Sequence, residues 1–193
     1  MGDYIIALDT ETGGLDPVRH SLLEVGLVAW NRKDDKMHSV RRFHRLPEYI
    51  VQTDALAVNK LDLLDVHAKG VETDELVNDL ISFAHIHEGL NGGIRPTLLG
   101  HGLAMDIAFL EHLFASVNES FHDHFNYHTI DTAVLVMFGK SIKKLPINTS
   151  MGLYKALQDL EVPIEGEQWR HTALGDAYAS IFLYKEIQKR ILV

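Results

Sequence analysis

The hydrophobic pattern of the chain opens as a series of short strands. Tyr4 to Leu8 is an apolar, β-branched run closed by the turn residues Gly13, Gly14 and Pro17, and it predicts a buried strand ending in a loop. Leu22 to Trp30 predicts a second strand. Asn31 to Lys36 is a charged turn, and Met37 to Leu46, with His and Arg among its apolar residues, has the pattern of an exposed edge strand. The first third therefore reads as an antiparallel meander. The period then changes. Leu76, Val77, Leu80, Ile81 and Ala84 keep helical spacing after the acidic entry Glu72 to Glu75, and Gly89, Gly92 and Gly93 stop the helix. Thr97 to Gly100 is a short strand, and Ile107, Leu110, Leu113, Phe114 and Val117 mark one face of the next helix, with Asp106 in its first turn. Thr129 to Thr132 is another strand. Ala173, Ala177, Ile181, Tyr184, Ile187 and Ile191 stripe a long C-terminal helix. Helices between the later strands imply parallel pairing there. The expected fold is α/β: a mixed five-stranded sheet, an antiparallel meander followed by parallel strands, flanked by helices. With no repeat, low-complexity tract or linker, residues 1–193 read as one domain.

Composition narrows the function classes. The 46% apolar content over 193 residues is enough for a sizeable core and excludes disorder. Eighteen basic against 27 acidic residues, a formal charge of -9, excludes a polybasic protein that coats duplex by counterion release. The absence of cysteine removes disulfides, thiol nucleophiles and Cys-based metal sites. The longest apolar stretch, Ala133 to Phe138, is far short of the roughly 20 residues that span a bilayer. The start carries Asp3 where a signal peptide wants positive charge, and Ile6 where a myristoylation signal wants Ser or Thr. A cytoplasmic protein without membrane attachment is the expectation.

The candidate chemistry is acidic. Asp9 and Glu11 are two apart at the end of the first strand, so their side chains leave the same face of the sheet. At about 4 Å and an effective dielectric near 20 their repulsion costs roughly 4 kcal/mol, which solvent, protonation or a cation must relieve. A solvated turn, Asp9-Thr10-Glu11-Thr12-Gly13-Gly14, would also accommodate them. Asp106 opens a helix directly after a strand, where the macrodipole favours an acid in any protein. Ligands of open α/β sheets also collect beyond the carboxyl ends of strands, where Asp106 and the Asp9/Glu11 pair would both lie. His171 precedes Asp176 by five residues, an offset of about 140° on a helix, so His171 must sit on the lead-in loop if both serve one site. Asp176 lies among Ala173, Leu174 and Ala177, where a carboxylate without a partner is costly. Bonds to backbone amides would satisfy it equally well.

Taken together, Asp9, Glu11, Asp106, His171 and Asp176 resemble the DEDDh family of 3′-to-5′ exonucleases, within the ribonuclease H-like superfamily. The resemblance runs through ALDTETGGL (7–15), LLEVGLVAW (22–30), LGHGLAMDIAFL (99–110), IDTAVL (130–135) and HTALGDAYA (171–179). Within that family, Asp54 to Asn59 and IDTAVL look most like the ribonuclease T branch, with the proofreading subunits of bacterial DNA polymerase III close behind. The resemblance implies that Asp9, Glu11, Asp106 and Asp176 hold two divalent cations, Mg²⁺ or Mn²⁺, whose oxygen-ligand preference matches carboxylates. It implies that His171 takes a proton from the attacking water. It implies a single-stranded 3′ end as substrate, with Thr10, Thr12, Gly13, Leu15 and His101 near it: backbone around Thr12 and Gly13 holding the 3′-hydroxyl, and Leu15 wedged beside the last base. The implied product is a nucleoside 5′-monophosphate, and the implied partners are a second copy, as in the ribonuclease T branch, or a DNA polymerase. Two positions depart from the family pattern: Gly102 stands where Asn is usual, and Val58 where the ribonuclease T branch has an aromatic.

Two other readings compete. A phosphatase of the haloacid dehalogenase type also begins with a strand ending in Asp-x-Asp, but the second acid here is Glu11, and no later Lys with paired Asp completes that motif. A non-catalytic nucleic-acid or polymerase-binding module on the same fold would have no need of all five positions. Further clusters have ordinary readings. His85 and His87, two apart on a helix, do not share a face, whereas His122, His124 and His128 fall in a loop and could ligate a metal. Arg41, Arg42 and Arg45, and Lys140, Lys143 and Lys144, are solvated charges that could also track a phosphate backbone.

Overall fold

The computed structural model describes residues 2–163 and 170–192. Five strands, β1 (Tyr4–Thr12), β2 (Leu22–Asn31), β3 (Met37–Phe43), β4 (Thr97–Gly100) and β5 (Thr129–Asp131), form one sheet in the order β3-β2-β1-β4-β5. The β1/β2 and β2/β3 pairs are antiparallel, and β1/β4 and β4/β5 are parallel. The expected mixed sheet is thus the one observed. The helices are α1 (Thr53–Asn59), α2 (Leu63–Lys69), α3 (Thr73–Leu90), α4 (Ala104–Ser116), α5 (Phe121–His124), α6 (Thr132–Ser141), α7 (Leu153–Asp159) and α8 (Ala173–Leu192). No described helix is long and apolar enough to cross a membrane.

Strand alternation assigns the two faces of β1. Ile6 and Leu8 pack in a core with Val25, Leu27 and the α3 and α4 residues Leu80 and Leu110. Ile5 and Ala7 pack on the opposite side, with Val28 and the α8 residues Ala177 and Ile181. Continuing the same alternation, Asp9 and Glu11 face α8 while Thr10 faces α4.

Two features differ from the expected elements. β1 does not end at Leu8: it pairs with β2 through Asp9↔Gly26 and Glu11↔Glu24, with an irregularity between Glu11 and Thr12. Backbone pairing to a continuous neighbour carries the strand past its apolar segment, so the polar residues are held in register rather than in a turn. The short helices α1, α2, α5, α6 and α7 have no counterpart among the expected elements. Most are too short for a clear 3.6-residue period, and α6 mixes exposed apolar residues with buried ones.

Candidate active site

Glycine at position 26 lets the site form. Gly26 lies opposite Asp9 in the β1/β2 register, and a Cβ there would fall 2.3 Å from Leu174 N and 2.5 Å from Ala173 O. The first turn of α8 therefore rests directly on the backbone of β2, which brings Asp176 to the β1 carboxylates. Asp9, Glu11 and Asp176 each place one oxygen within 4.8 Å of the others. His171 sits where its offset from Asp176 requires, in the turn before α8, with φ at 59°. Its backbone N–H donates to Asp176 Oδ1 at 3.2 Å.

The carboxylates are packed without enough compensating charge. Burial raises the pKa of Asp9 well above the ordinary range, and the charges of Asp106, Asp176 and Glu11 add to the effect. Glu11 is pushed up to about 8, first by burial and then by Asp176 and Glu24, with Arg41 only partly opposing. Burial raises Asp176 as well, although hydrogen bonds from Tyr154 and the His171 backbone oppose it. Such a set holds protons at neutral pH or gathers divalent cations, because only a cation lets all three ionise together.

Asp106, the fourth expected acid, stands beside this trio rather than inside it. It is buried in the first turn of α4, and its Oδ1 accepts from the Thr10 backbone N–H at 2.9 Å and the Thr10 hydroxyl at 2.6 Å. Burial lifts its pKa to about 6 against those two hydrogen bonds. Thr10 is buried as well, so its two donors brace Asp106 instead of meeting solvent.

The other expected contacts divide similarly. Leu15 is 78% exposed and projects from the loop after β1. The Gly13 N–H donates to Ser21 O, Gly13 O accepts from Gln52 N, and the Thr12 hydroxyl donates to Gly14 O. Those groups stiffen the loop itself. His101 Nε2 donates to Met151 O at 2.7 Å, and its Nδ1 lies 2.9 Å from Thr132 Oγ1. Gly102 has φ at 81°, a left-handed conformation that Gly adopts freely and Asn also tolerates. Val58 is an exposed residue of α1.

Several contributors received no role from the sequence, although Asn59 and Asp131 lie within segments that carry the resemblance. Tyr154, on α7, donates its hydroxyl to the same Asp176 Oδ1 that accepts from His171, and its ring centroid lies 5.8 Å from that of His171. The Arg170 guanidinium lies over the Tyr154 ring at 4.5 Å. Asp131 caps α6 and accepts from the Gly102 and Leu103 backbone N–H groups, fixing the turn that leads to Asp106. Asn59 donates to Thr12 O and ties α1 to the end of β1. An acid directly before the 132–141 segment could have signalled the Asp131 cap; nothing local signals Tyr154.

The remaining clusters resolve otherwise. His85 Nε2 meets His124 Nδ1 at 3.1 Å, and His122 Nε2 meets Glu111 at 2.9 Å. Among the described residues, Asp9, Glu11 and Asp176 make the only group of three candidate metal ligands. Arg41, Arg42 and Arg45 are engaged with Glu24, Asp79 and Glu72.

A mixed sheet whose central strand delivers two carboxylates onto the start of the C-terminal helix, beside a fourth acid at a helix entry, defines a ribonuclease H-like fold with a candidate divalent-metal site. The chain belongs to the exonuclease family, whose pattern it matches over residues 6–184. The 3′-to-5′ exonuclease class expected from the DEDDh resemblance is the class of this family. Ribonuclease T of Buchnera aphidicola subsp. Cinara cedri is 25% identical over 203 residues, covering 98% of this chain and 84% of the relative. Ribonuclease T of Baumannia cicadellinicola is 27% identical over 201 residues, covering 98% and 85%. Among solved structures, the zinc-bound Escherichia coli exonuclease I complex with single-stranded DNA superposes with a TM-score of 0.72 at 15% identity over 97% of this chain. This chain spans 41% of that longer protein, so the likeness is one of fold.

Proposed function

We propose that this protein removes nucleotides one at a time from the 3′ end of single-stranded nucleic acid, DNA or RNA, releasing nucleoside 5′-monophosphates. The observation that carries this reading is the half-buried trio Asp9, Glu11 and Asp176, whose oxygens converge within 4.8 Å with Asp106 alongside. These four carboxylates would hold two Mg²⁺ or Mn²⁺ ions, supplying Lewis-acid stabilisation of the phosphoryl charge and an acidified water. The ribonuclease T relatives and the single-stranded DNA held by exonuclease I support that substrate class.

The chain's own groups do the rest. Asp176 commits Oδ1 to Tyr154 and to the His171 backbone, which leaves its second oxygen for the trio. His171, on a turn outside α8, takes the proton of the attacking water at an imidazole nitrogen; imidazole is the side chain suited to that transfer near neutrality. Leu15 meets the terminal base as a wedge, and the 3′-hydroxyl lies beside Thr12 and Gly13, on a loop stiffened by its own hydrogen bonds. The net charge of -9 opposes broad duplex binding and leaves recognition to a local track. The chain acts alone, as a pair of copies, or beside a polymerase, and sedimentation with and without polymerase separates these cases.

Digestion of one 5′-labelled sequence, as single-stranded DNA and as RNA, tests the reading. A ladder shortening from the 3′ end, lost in EDTA and restored by Mg²⁺ or Mn²⁺, is expected. Cleavage of a circular single strand, or full activity in EDTA, overturns it.

A further inference from the structure

The segment from Thr132 to Gln158 is the longest in the chain without a carboxylate, in a protein with net charge -9. It leaves from the site and returns to it. It starts at the Asp131 cap, its Thr132 hydroxyl lies beside His101, its Met151 carbonyl accepts from His101, and its Tyr154 bonds Asp176.

α6 and its C-cap residue Ile142 turn an apolar strip outward, interrupted by the exposed Ser141. At 100° per residue, Val134, Met137, Phe138 and Ile142 fall within an arc of about 140°. All four are 41% to 58% exposed. The opposite side of the helix is the packed one, where Val136 joins α7 and α8 residues in a core. At the C-terminal end of the strip, Lys143 and Lys144 are exposed and have no acidic partner among the described residues, whereas Arg41, Arg42 and Arg45 are each spent in an ion pair. Ile147, 80% exposed, adds an apolar side chain on the returning loop.

An exposed apolar strip joined to unpaired cations fits a ligand that is itself flat and apolar along one edge and anionic along the other. A single nucleic-acid strand has that character: base faces pack on Phe138 and its neighbours while phosphates meet the lysines. Resting on the exonuclease reading above, we propose that the outer face of α6, with Lys143 and Lys144, is the track along which the strand 5′ of the scissile nucleotide lies. Only substrates long enough to reach down α6, a helix of 10 residues and roughly 15 Å, benefit from it.

Full-length protein carrying Lys143→Glu and Lys144→Glu, and separately Phe138→Ala, tests the track without touching the carboxylate site. Binding of fluorescein-labelled oligothymidylate and oligouridylate is read by anisotropy in EDTA, so it does not depend on turnover. The double reversal is expected to weaken binding of a 12-mer at least tenfold, and to lower the salt slope by about 0.7 for each phosphate that the lysines no longer neutralise. Phe138→Ala is expected to weaken it about fivefold or more, as removal of one stacked base does. With Mn²⁺ present, dinucleotide hydrolysis by both variants stays at the wild-type rate. If the variants bind 12-mers like wild type, or their dinucleotide and 12-mer hydrolysis fall equally, the track is wrong. A changed molecular mass in sedimentation with unchanged oligonucleotide affinity would make the strip a protein interface instead. Tight 12-mer binding by a wild type that hydrolyses nothing would sink the exonuclease reading and leave the track standing.

Discussion

Glu24 and Glu11 face one another across the β1/β2 ladder, yet they occupy opposite electrostatic situations. Glu24 is fully buried, and Arg41 grips it with two hydrogen bonds, at 2.7 Å and 2.9 Å. Glu11 sits among Asp9, Asp176 and Glu24 with only a weak opposing contribution from Arg41, and its pKa climbs to about 8. A carboxylate answered by a protein cation is a structural strut. A carboxylate crowded by other carboxylates holds a proton or gathers a cation. Sequence position does not separate the two; the partners do.

The sharpest break between them is substitution. Asp9→Ala should abolish hydrolysis while leaving the metal-free fold as stable as wild type or more so, because it removes mutual repulsion; activity assays paired with thermal melts in EDTA check this. An Asp9→Ala protein that unfolds would place the trio with Glu24 among the struts. His171→Ala should lower turnover by about 10² to 10⁴, the usual worth of a general base, while Mn²⁺ titration stays near wild type because the carboxylates remain. The acidic limb of the pH–rate profile should disappear with it. Weakened Mn²⁺ affinity would instead make His171 a ligand.

The pH dependence of stability distinguishes the same two regions. Glu11 has a folded value of about 8 against an ordinary 4.5, so the folded protein binds the proton more tightly than the unfolded chain does. The resulting contribution is fully present below about pH 4.5 and is lost as pH rises through about 8. The metal-free protein should therefore lose melting temperature over that window, and Mn²⁺ should restore more of it near pH 8.5 than near pH 5. Equal stabilisation at both would show that the trio is not where the cation binds.

Removing the strut should act on stability rather than chemistry. Glu24→Ala leaves the Arg41 guanidinium, itself about 30% exposed, without its partner. A cost of about 2 kcal/mol, or roughly 4–8 °C in Tm for a chain of this size, is expected, with metal-dependent hydrolysis retained. Tyr154→Phe is the gentlest probe: it keeps the ring beside His171 and removes the hydroxyl bonded to Asp176. A fall in kcat of roughly tenfold with KM little changed is expected, matching one hydrogen bond to a charged group. A rise in KM alone would place Tyr154 on the substrate side.

How much of the fold and site is legible in the sequence depends on whether the signal is local. Alternation places Asp9 and Glu11 on one face of β1 from spacing alone, and the five-residue offset of His171 from Asp176 puts the histidine on a lead-in turn by helix geometry. The meander and the long stripes of α3, α4 and α8 follow from side-chain period, which backbone geometry imposes on any buried face. The resemblance carried by ALDTETGGL and HTALGDAYA points to an exonuclease because those short segments hold the chemistry. The tertiary structure decided what depends on close approach between distant segments. It alone shows that Gly26 admits the start of α8 to the backbone of β2 opposite Asp9, that Tyr154 reaches Asp176 from another helix, and that Thr10 is spent on Asp106. It also separates arginines consumed in ion pairs from lysines left in solvent. Spacing along a chain fixes direction, but distance, burial and charge balance arise only when separate elements pack together.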